Sequence, residues 1–484
     1  MLLDNYAYNC GVFFAAAVQS NRTIIFTDPL GQYPIFYWQN GDRYLVSPDL
    51  YAIARALPNA TLNDDCIYDY VTYFHPLRQE TLLSGVKRLL PYETIVLTAA
   101  GLKINRIAPD QPTLSYPEIL DISCERLKAR ATTLLAHHSP ICHLSGGLDT
   151  RLSLAALLSA GFRGPVFSYG DGLSQDRLIS RELTERLGLS EGRLRFYHSP
   201  PKTVPDLQQA LRPFNGMKLT DPVNFGTGSD FSHSEVTGYF SEGLLKGFGS
   251  LFDRNRFTMF DWGRRTSSLP PEVFNLPTDR AEEEARALLE LTDNPLVANC
   301  LFYLRNRSPG HFGAHSTVAN REFVSIDLLY DPFLLNLIRM APYSATEIKA
   351  GAIIVDLIKH TYAEDLAVYP YDERIVPRYA PWTHTVTAPS CFESYHAQSK
   401  ELPRLPVHVQ SPPLGLPGCP IANVMEHFSS VLRRFPLLKA TRNGNRGIEA
   451  KAVTSLLCLI DDLETAMLSN TKVPAVYAAS SQSA

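Results

Sequence analysis

Three things are scarce or missing in this chain, and each removes a class of function. Basic residues are not in excess: 45 Lys and Arg stand against 49 Asp and Glu in 484 residues, which leaves no electrostatic footprint for gripping a nucleic-acid backbone. The eight cysteines, at 10, 66, 124, 142, 300, 391, 419 and 458, include no C-x-x-C pair; this disfavours a zinc knuckle, an iron–sulfur site or a thiolation site and predicts reduced thiols. No apolar run approaches the ~20 residues of a membrane helix, and the opening MLLDNYAYN has no basic region ahead of an apolar signal core. The expectation is a cytoplasmic protein with no membrane and no nucleic-acid partner. What the chain does have is 45% hydrophobic residues and enough length for two or three domains with a large buried core.

The stretch Ile141 to Thr150, ICHLSGGLDT, reads as a buried strand that runs into a glycine-rich turn and opens a helix, TRLSLAALL. Ser145, Gly146 and Gly147 carry no bulky side chain, so backbone N–H groups can approach phosphate oxygens, and the helix N-terminus favours an anion. A carboxylate beside those phosphates calls for a divalent cation between the two, which makes Asp149 a candidate magnesium ligand. SGGLDT resembles the SGG-x-D-S signature of the ATP pyrophosphatases, which split ATP into AMP and pyrophosphate while activating a substrate; it is not a Walker-type P-loop. The resemblance implies that Ser145, Gly146, Gly147, Leu148, Asp149 and Thr150 bind ATP.

Residues 1 to 110 alternate short apolar runs with turn signals, as in RTIIFTDPLGQYPIFYWQNGDRYLVSPDL, and predict a β-rich meander. TDPLGQYPIFYW and DRYLVSPDLYAI are similar to stretches of the glutaminase domain of asparagine synthetases, and VKRLLPYETIVLTAAGLK to that domain's closing segment. The resemblance to the asparagine synthetase-like family covers most of residues 9 to 380 and implies an Ntn-type sandwich here. Cys10 in CGVF looks like the start of a working glutaminase, yet its spacing to TDPLGQYPIFYW fits a later strand of that domain. On that register Cys10 replaces the aspartate that helps hold glutamine's α-amine, and the catalytic N-terminal cysteine is missing. A truncated, inactive remnant is expected, with a misassigned start codon as the alternative.

From about 115 to 380 helices alternate with apolar strands, LDISCERLKARATTLLA, ICHL, GPVFSYGD and SRELTERLG among them. That pattern predicts a parallel α/β sheet with ligands at the strand carboxyl ends. FSYG resembles the turn whose main chain reads adenine in this family, which implies a base pocket from Val166, Phe167, Ser168 and Gly170. Residues 281 to 345 look helical, and LPRLPVHVQSPPLGLPGCP from 402 to 420 reads as a proline-rich linker or lid.

VTGYFSEGLLKGF, residues 236 to 248, occupies the place of the family's second motif, G-E-G-A-D-E-L-F-G-G-Y. The match puts Gly238 and Gly247 on its glycines and Glu242 on its magnesium-binding aspartate, so Asp149 and Glu242 become the implied metal pair. Thr237-Gly238-Tyr239 resembles the T-G-Y of β-lactam and carbapenam synthetases, in which the tyrosine and a distant glutamate remove a proton from the substrate's own amine. A phenol with a pKa of about 10 needs such a partner. Glu272, Glu282, Glu283 and Glu284 fall in the right span and nothing selects among them, while Tyr239 as a plain pocket-lining aromatic stays open. The lysine of those enzymes' R-P-K stretch is absent from Tyr369-Pro370-Tyr371, leaving Arg374 or Arg378 to supply positive charge. Downstream of the metal motif, Arg321 and Asp327 are structural or substrate contacts.

The expected architecture is α/β: a β-rich glutaminase-like remnant over 1–110, a parallel-sheet PP-loop ATP pyrophosphatase domain with a helical C-terminal part over 111–465, and a disordered tail over 466–484. The expected activity depends on ATP and Mg2+. A small-molecule or peptide carboxylate is adenylated, and an organic amine, intramolecular or from a second substrate, displaces AMP to form an amide, in natural-product biosynthesis with a biosynthetic partner protein as an option. An asparagine synthetase using ammonia or glutamine and an inactive scaffold homologue are the alternatives.

Overall fold

The computed structural model describes residues 10–73, 75–107, 113–168, 175–192, 203–217, 234–246, 252–253, 256–257, 271–292, 294–369, 428–435 and 447–469. Alternation of apolar and polar residues builds its first part. β1 (Phe14–Val18), β2 (Arg22–Thr27), β3 (Phe36–Asn40), β4 (Arg43–Ser47), β5 (Lys87–Arg88), β6 (Glu93–Thr98) and β7 (Gly101–Arg106) form two antiparallel sheets, β1-β2-β6-β7 and β4-β3-β5. Ile25 lies opposite Ile95, and Ile95 opposite Ile104. This row packs with Ile35, Tyr37 and Leu89, so one sheet covers the other. β3 turns into β4 through Gly41 and Asp42, with Gly41 at φ +61°, as a two-residue hairpin with glycine at its first central position requires.

The second part adds β8 (Ile141–His143), β9 (Pro165–Phe167), β10 (Ser190–Glu191), β11 (Ser234–Thr237), a short antiparallel pair of β12 (Phe252–Asp253) and β13 (Arg256–Phe257), and β14 (Val324–Asp327). Five of these form a parallel sheet in the order β10-β9-β8-β11-β14. The chain leaves β8 first to one side, into β9 and β10, and later to the other, into β11 and β14. That reversal opens a crevice at the carboxyl ends of β8 and β11. The protein is thus mixed α/β, with antiparallel sheets in its first part and a parallel sheet among helices in its second.

Helices α1 (Leu50–Ala56) and α2 (Asp64–Tyr73) follow the first hairpin, and α3 (Tyr116–His137) leads into the parallel sheet. α4 (Leu148–Ser159) is buried on nearly every side, with Leu148, Leu152, Leu154, Ala155 and Leu157 in the core beside the polar Thr150, Arg151 and Ser153. α5 (Gln175–Arg186), α6 (Val204–Leu211), α7 (Ser241–Leu245) and α8 (Pro271–Leu291) come next.

A second core joins the two ends of the chain. Leu50, Ile53, Ile67 and Tyr70 from α1 and α2 pack with Leu207 and Leu211 of α6 and with Leu456, Leu459, Ile460 and Leu463 of the helix Gly447–Leu468. The boundary expected at 466 falls inside that helix, where Ala466 is buried. The apolar spacing at 459, 460, 463 and 466 carries the helical face past it. The cut at 110 does not separate two cores either, because this C-terminal helix closes on the N-terminal ones.

A buried polar seam ties the first part to the second. Asp28 accepts from the amides of Gln32 (3.0 Å) and Tyr33 (2.7 Å), the hydroxyl of Thr27 (3.1 Å) and the hydroxyl of Tyr330. Gln32 donates to the Leu304 carbonyl at 3.0 Å and accepts from the Ser308 hydroxyl at 2.6 Å. Among the described residues no helix is long and apolar enough to cross a membrane, and Cys10, Cys66, Cys124, Cys142, Cys300 and Cys458 are free thiols.

Burial pushes the Asp28 carboxyl from its ordinary 3.8 up to about 6, against the hydrogen bonds that lower it. The folded protein therefore binds this proton more tightly than the unfolded chain, and folding with a charged Asp28 costs about 3 kcal/mol at neutral pH. Below the unfolded value the cost disappears. Urea unfolding from pH 4 to 7 is expected to show wild type losing up to about 3 kcal/mol relative to Asp28→Asn as the pH rises through that window. A pH-independent difference would refute it.

Candidate nucleotide and metal site

The turn after β8 is built by its own small side chains. The Leu144 amide donates to the Phe167 carbonyl at 2.8 Å, which ends the strand pairing. Ser145 then donates its amide to the Thr150 hydroxyl (2.9 Å), and the Gly147 amide donates to the Ser145 hydroxyl (3.2 Å). α4 starts at Leu148 with Gly147 at its cap and no side-chain cap bond, so its first turn presents backbone N–H groups to the crevice. Arg151, fully buried, donates to the Gly146 carbonyl (2.7 Å) and the Tyr369 carbonyl (2.5 Å), with its guanidinium 5.5 Å from the centre of the Tyr369 ring. The Gly146 amide points the other way and donates to the Asp176 carboxylate at 2.8 Å.

The second segment meets the first because β11 lies beside β8, with Val236 opposite Cys142. Ser153 of α4 donates to the Thr237 carbonyl at 2.8 Å, and Gly238 lies so close that a Cβ there would be 2.6 Å from the Asp149 carbonyl oxygen. Asp327, at the end of the neighbouring β14, accepts from the Thr237 hydroxyl and the Phe240 amide, both at 3.2 Å. It fastens the turn, which makes it a structural contact.

Asp149 and Glu242 are brought together. The Ser241 hydroxyl donates to one Asp149 oxygen at 2.6 Å, and the Lys246 ammonium donates to the other at 2.6 Å. Burial raises the Glu242 carboxyl above its ordinary value; Lys246 pulls it down, Asp149 pushes it up and Arg307 pulls it down. Among the described residues no group of three or more His, Cys, Asp and Glu is placed to hold a metal, and the described part of this site has two carboxylates, Asp149 and Glu242. That suits magnesium, which takes one or two carboxylates and completes its shell with phosphate oxygens and water.

Tyr239, half-buried, stacks face to face with Phe312 (5.2 Å, 3°) and stands edge-on to His315 (5.7 Å). His143 lies 5.9 Å from it and stacks in turn on Phe167 at 5.1 Å. Burial lowers His143 to about 4, so the ring is neutral at physiological pH. Glu282 pairs with Arg286, Glu283 with Arg78, and Glu284 with Arg78 and Arg305; these three carboxylates serve α8 and its seam with the first part. The side chain of Glu272 lies outside the described residues.

Val166 and Phe167 have their side chains buried in the core, which leaves main chain to face a ligand at that strand end. Ser168 is half-buried and is the last described residue before 175. Gly170, Gly247, Arg374, Arg378 and the stretch 402–420 lie outside the described residues. Arg321 lines a separate cleft of about 290 Å³ with Arg55 and Arg212, one that shares no lining residue with the Asp149 site. Burial pushes the Cys10 thiol up to about 11, and Arg126 donates to its sulfur at 3.4 Å.

Sequence reasoning passed over Lys246, Arg151, Asp176 and Ser241. For Lys246 there was a signal: with Glu242 on the motif's aspartate, position 246 falls where that motif has glycine. Asp176 and Arg151 reach the loop through pairings that no local pattern announces. No protein-family model matches this chain, and no curated protein matches it. The geometry of Gly238 can be tested directly. Gly238→Ala puts a Cβ against the Asp149 carbonyl and 2.9 Å from the Ser153 hydroxyl, which is expected to destabilise the fold by about 1–3 kcal/mol. A thermal midpoint equal to that of wild type would refute it.

Proposed function

We propose that this chain is an ATP- and magnesium-dependent ligase that forms amide bonds with release of AMP and pyrophosphate. One observation carries the proposal: each half of the site already holds a charge of the sign its ligand would bring. The Gly146 amide takes an anionic oxygen from Asp176, and Asp149 takes a cation from Lys246. A triphosphate supplies the first and a divalent metal the second. The position of both at a strand-order reversal favours the same conclusion.

In this proposal an oxygen of the substrate carboxylate attacks the α-phosphorus, the bond to the bridging oxygen breaks, and pyrophosphate leaves. An amine then attacks the acyl carbon, the bond to AMP breaks, and the amine's proton passes to a base. The Gly146 amide and the N-terminus of α4 bind phosphate oxygens. Asp149 and Glu242 would hold a magnesium ion, which would supply positive charge against the pyrophosphate. Tyr239 is assigned to the amine side, where its phenol receives or relays the proton. The first part is then an Ntn-type sandwich remnant that supplies no ammonia, the second a PP-loop ATP pyrophosphatase domain, and the amine is organic.

The ion pair between Lys246 and Asp149 also suits a second reading, an inactive homologue in which the lysine permanently replaces the metal. Pyrophosphate release separates the two. With ATP, magnesium and a pool of amino-carboxylates, release is expected to require a carboxylate but neither glutamine nor ammonia, and to fall about a hundredfold or more in Asp149→Asn. No release from wild type with any carboxylate would favour the inactive homologue. Tyr239→Phe is expected to retain pyrophosphate release while amide product falls; full product yield would remove Tyr239 from the proton path.

A further inference from the structure

Building on the ligase reading, we propose that Lys246 is a tethered cation that occupies the metal's place on Asp149 until the nucleotide arrives, so that divalent metal enters only together with ATP. The ammonium lies 2.6 Å from Asp149, and about three-quarters of each side chain is covered, with 23% of Lys246 and 27% of Asp149 exposed. Asp149 is already engaged on its other oxygen by the Ser241 hydroxyl. Lys246 follows Glu242 by one helical turn at the end of α7, a separation that puts both side chains on one face. Two carboxylates in a partly dry site repel one another, and the lysine offsets that repulsion when nothing is bound. Arg307, the other cation facing Glu242, is hydrogen-bonded to the Tyr303 hydroxyl.

A free metal ion approaching Asp149 alone must displace the ammonium from its 2.6 Å ion pair. A metal bound to ATP brings phosphate oxygens with it, and the displaced ammonium can swing on its flexible four-carbon stem to those oxygens. The lysine therefore opposes metal without nucleotide and favours metal with nucleotide. No bond is made or broken in this exchange.

The test is Mn2+ binding followed by electron paramagnetic resonance, with and without ATP, in wild type, Lys246→Met and Lys246→Arg. Without ATP, Lys246→Met is expected to bind Mn2+ about tenfold more tightly than wild type, because the competing charge is gone. With ATP the order reverses, and Lys246→Met binds the Mn2+–ATP complex about tenfold more weakly. Lys246→Arg, which keeps the charge, should remain close to wild type without ATP. Equal affinity of wild type and Lys246→Met for free Mn2+ overturns the proposal, and Lys246→Gln serves as the neutral variant if the methionine protein does not fold. Wild type that binds free Mn2+ but not Mn2+–ATP would overturn the ligase reading separately.

Discussion

Gly238 lies flat against the first turn of the helix that starts at Leu148, and the candidate site depends on that contact. Because no side chain intervenes, the turn after β11 comes within reach of Asp149, Ser153 binds the Thr237 carbonyl, and Ser241 reaches the Asp149 carboxylate. Two acidic residues from distant segments are thereby forced into one small space. Such an arrangement is tolerable only with cations close by, and Lys246 and Arg307 meet that need in the protein alone. The electrostatics follow from the packing.

That packing has a buttress in the first part of the chain. Asp28 and Gln32 sit on the turn between β2 and β3 and reach across to Tyr330, Ser308 and Leu304. The Tyr330 ring in turn packs edge-on against Phe240, 4.5 Å away, in the turn that carries Tyr239 and Glu242. The segment 303–315, which brings Arg307, Phe312 and His315 to the site, leans on the same seam. Whatever chemistry the first part performs, its removal would leave buried hydrogen-bonding groups of the second part unpaired. It is part of the support of the site.

Much of this was legible in residue order. The turn after β8 could be read because a strand, a run of small residues and a helix start are local features, and each has a short-range physical cause. The pairing of Asp149 with Glu242 followed from two motifs whose order along the chain was recognisable. Arg151 was hidden because a buried arginine bonded to main-chain carbonyls leaves no charge partner in the sequence to find. Glu283 and Glu284 pair with Arg78 and Arg305, partners distant in the chain that no local pattern announces. The helix Gly447–Leu468 carries apolar residues at helical spacing, but such spacing does not say which core a helix closes, and here it returns to the first hundred residues.

Gly146 shows what the buried arginine brings to the loop. Its N–H is bound by Asp176 and its carbonyl by Arg151, which also holds the carbonyl of Tyr369. The residue type with the greatest backbone freedom is thus held through its carbonyl by a fully buried arginine. The loss of that residue's conformational entropy is then incurred during folding. A loop made flexible by its composition is thus tied, through Arg151, to the main chain at Tyr369.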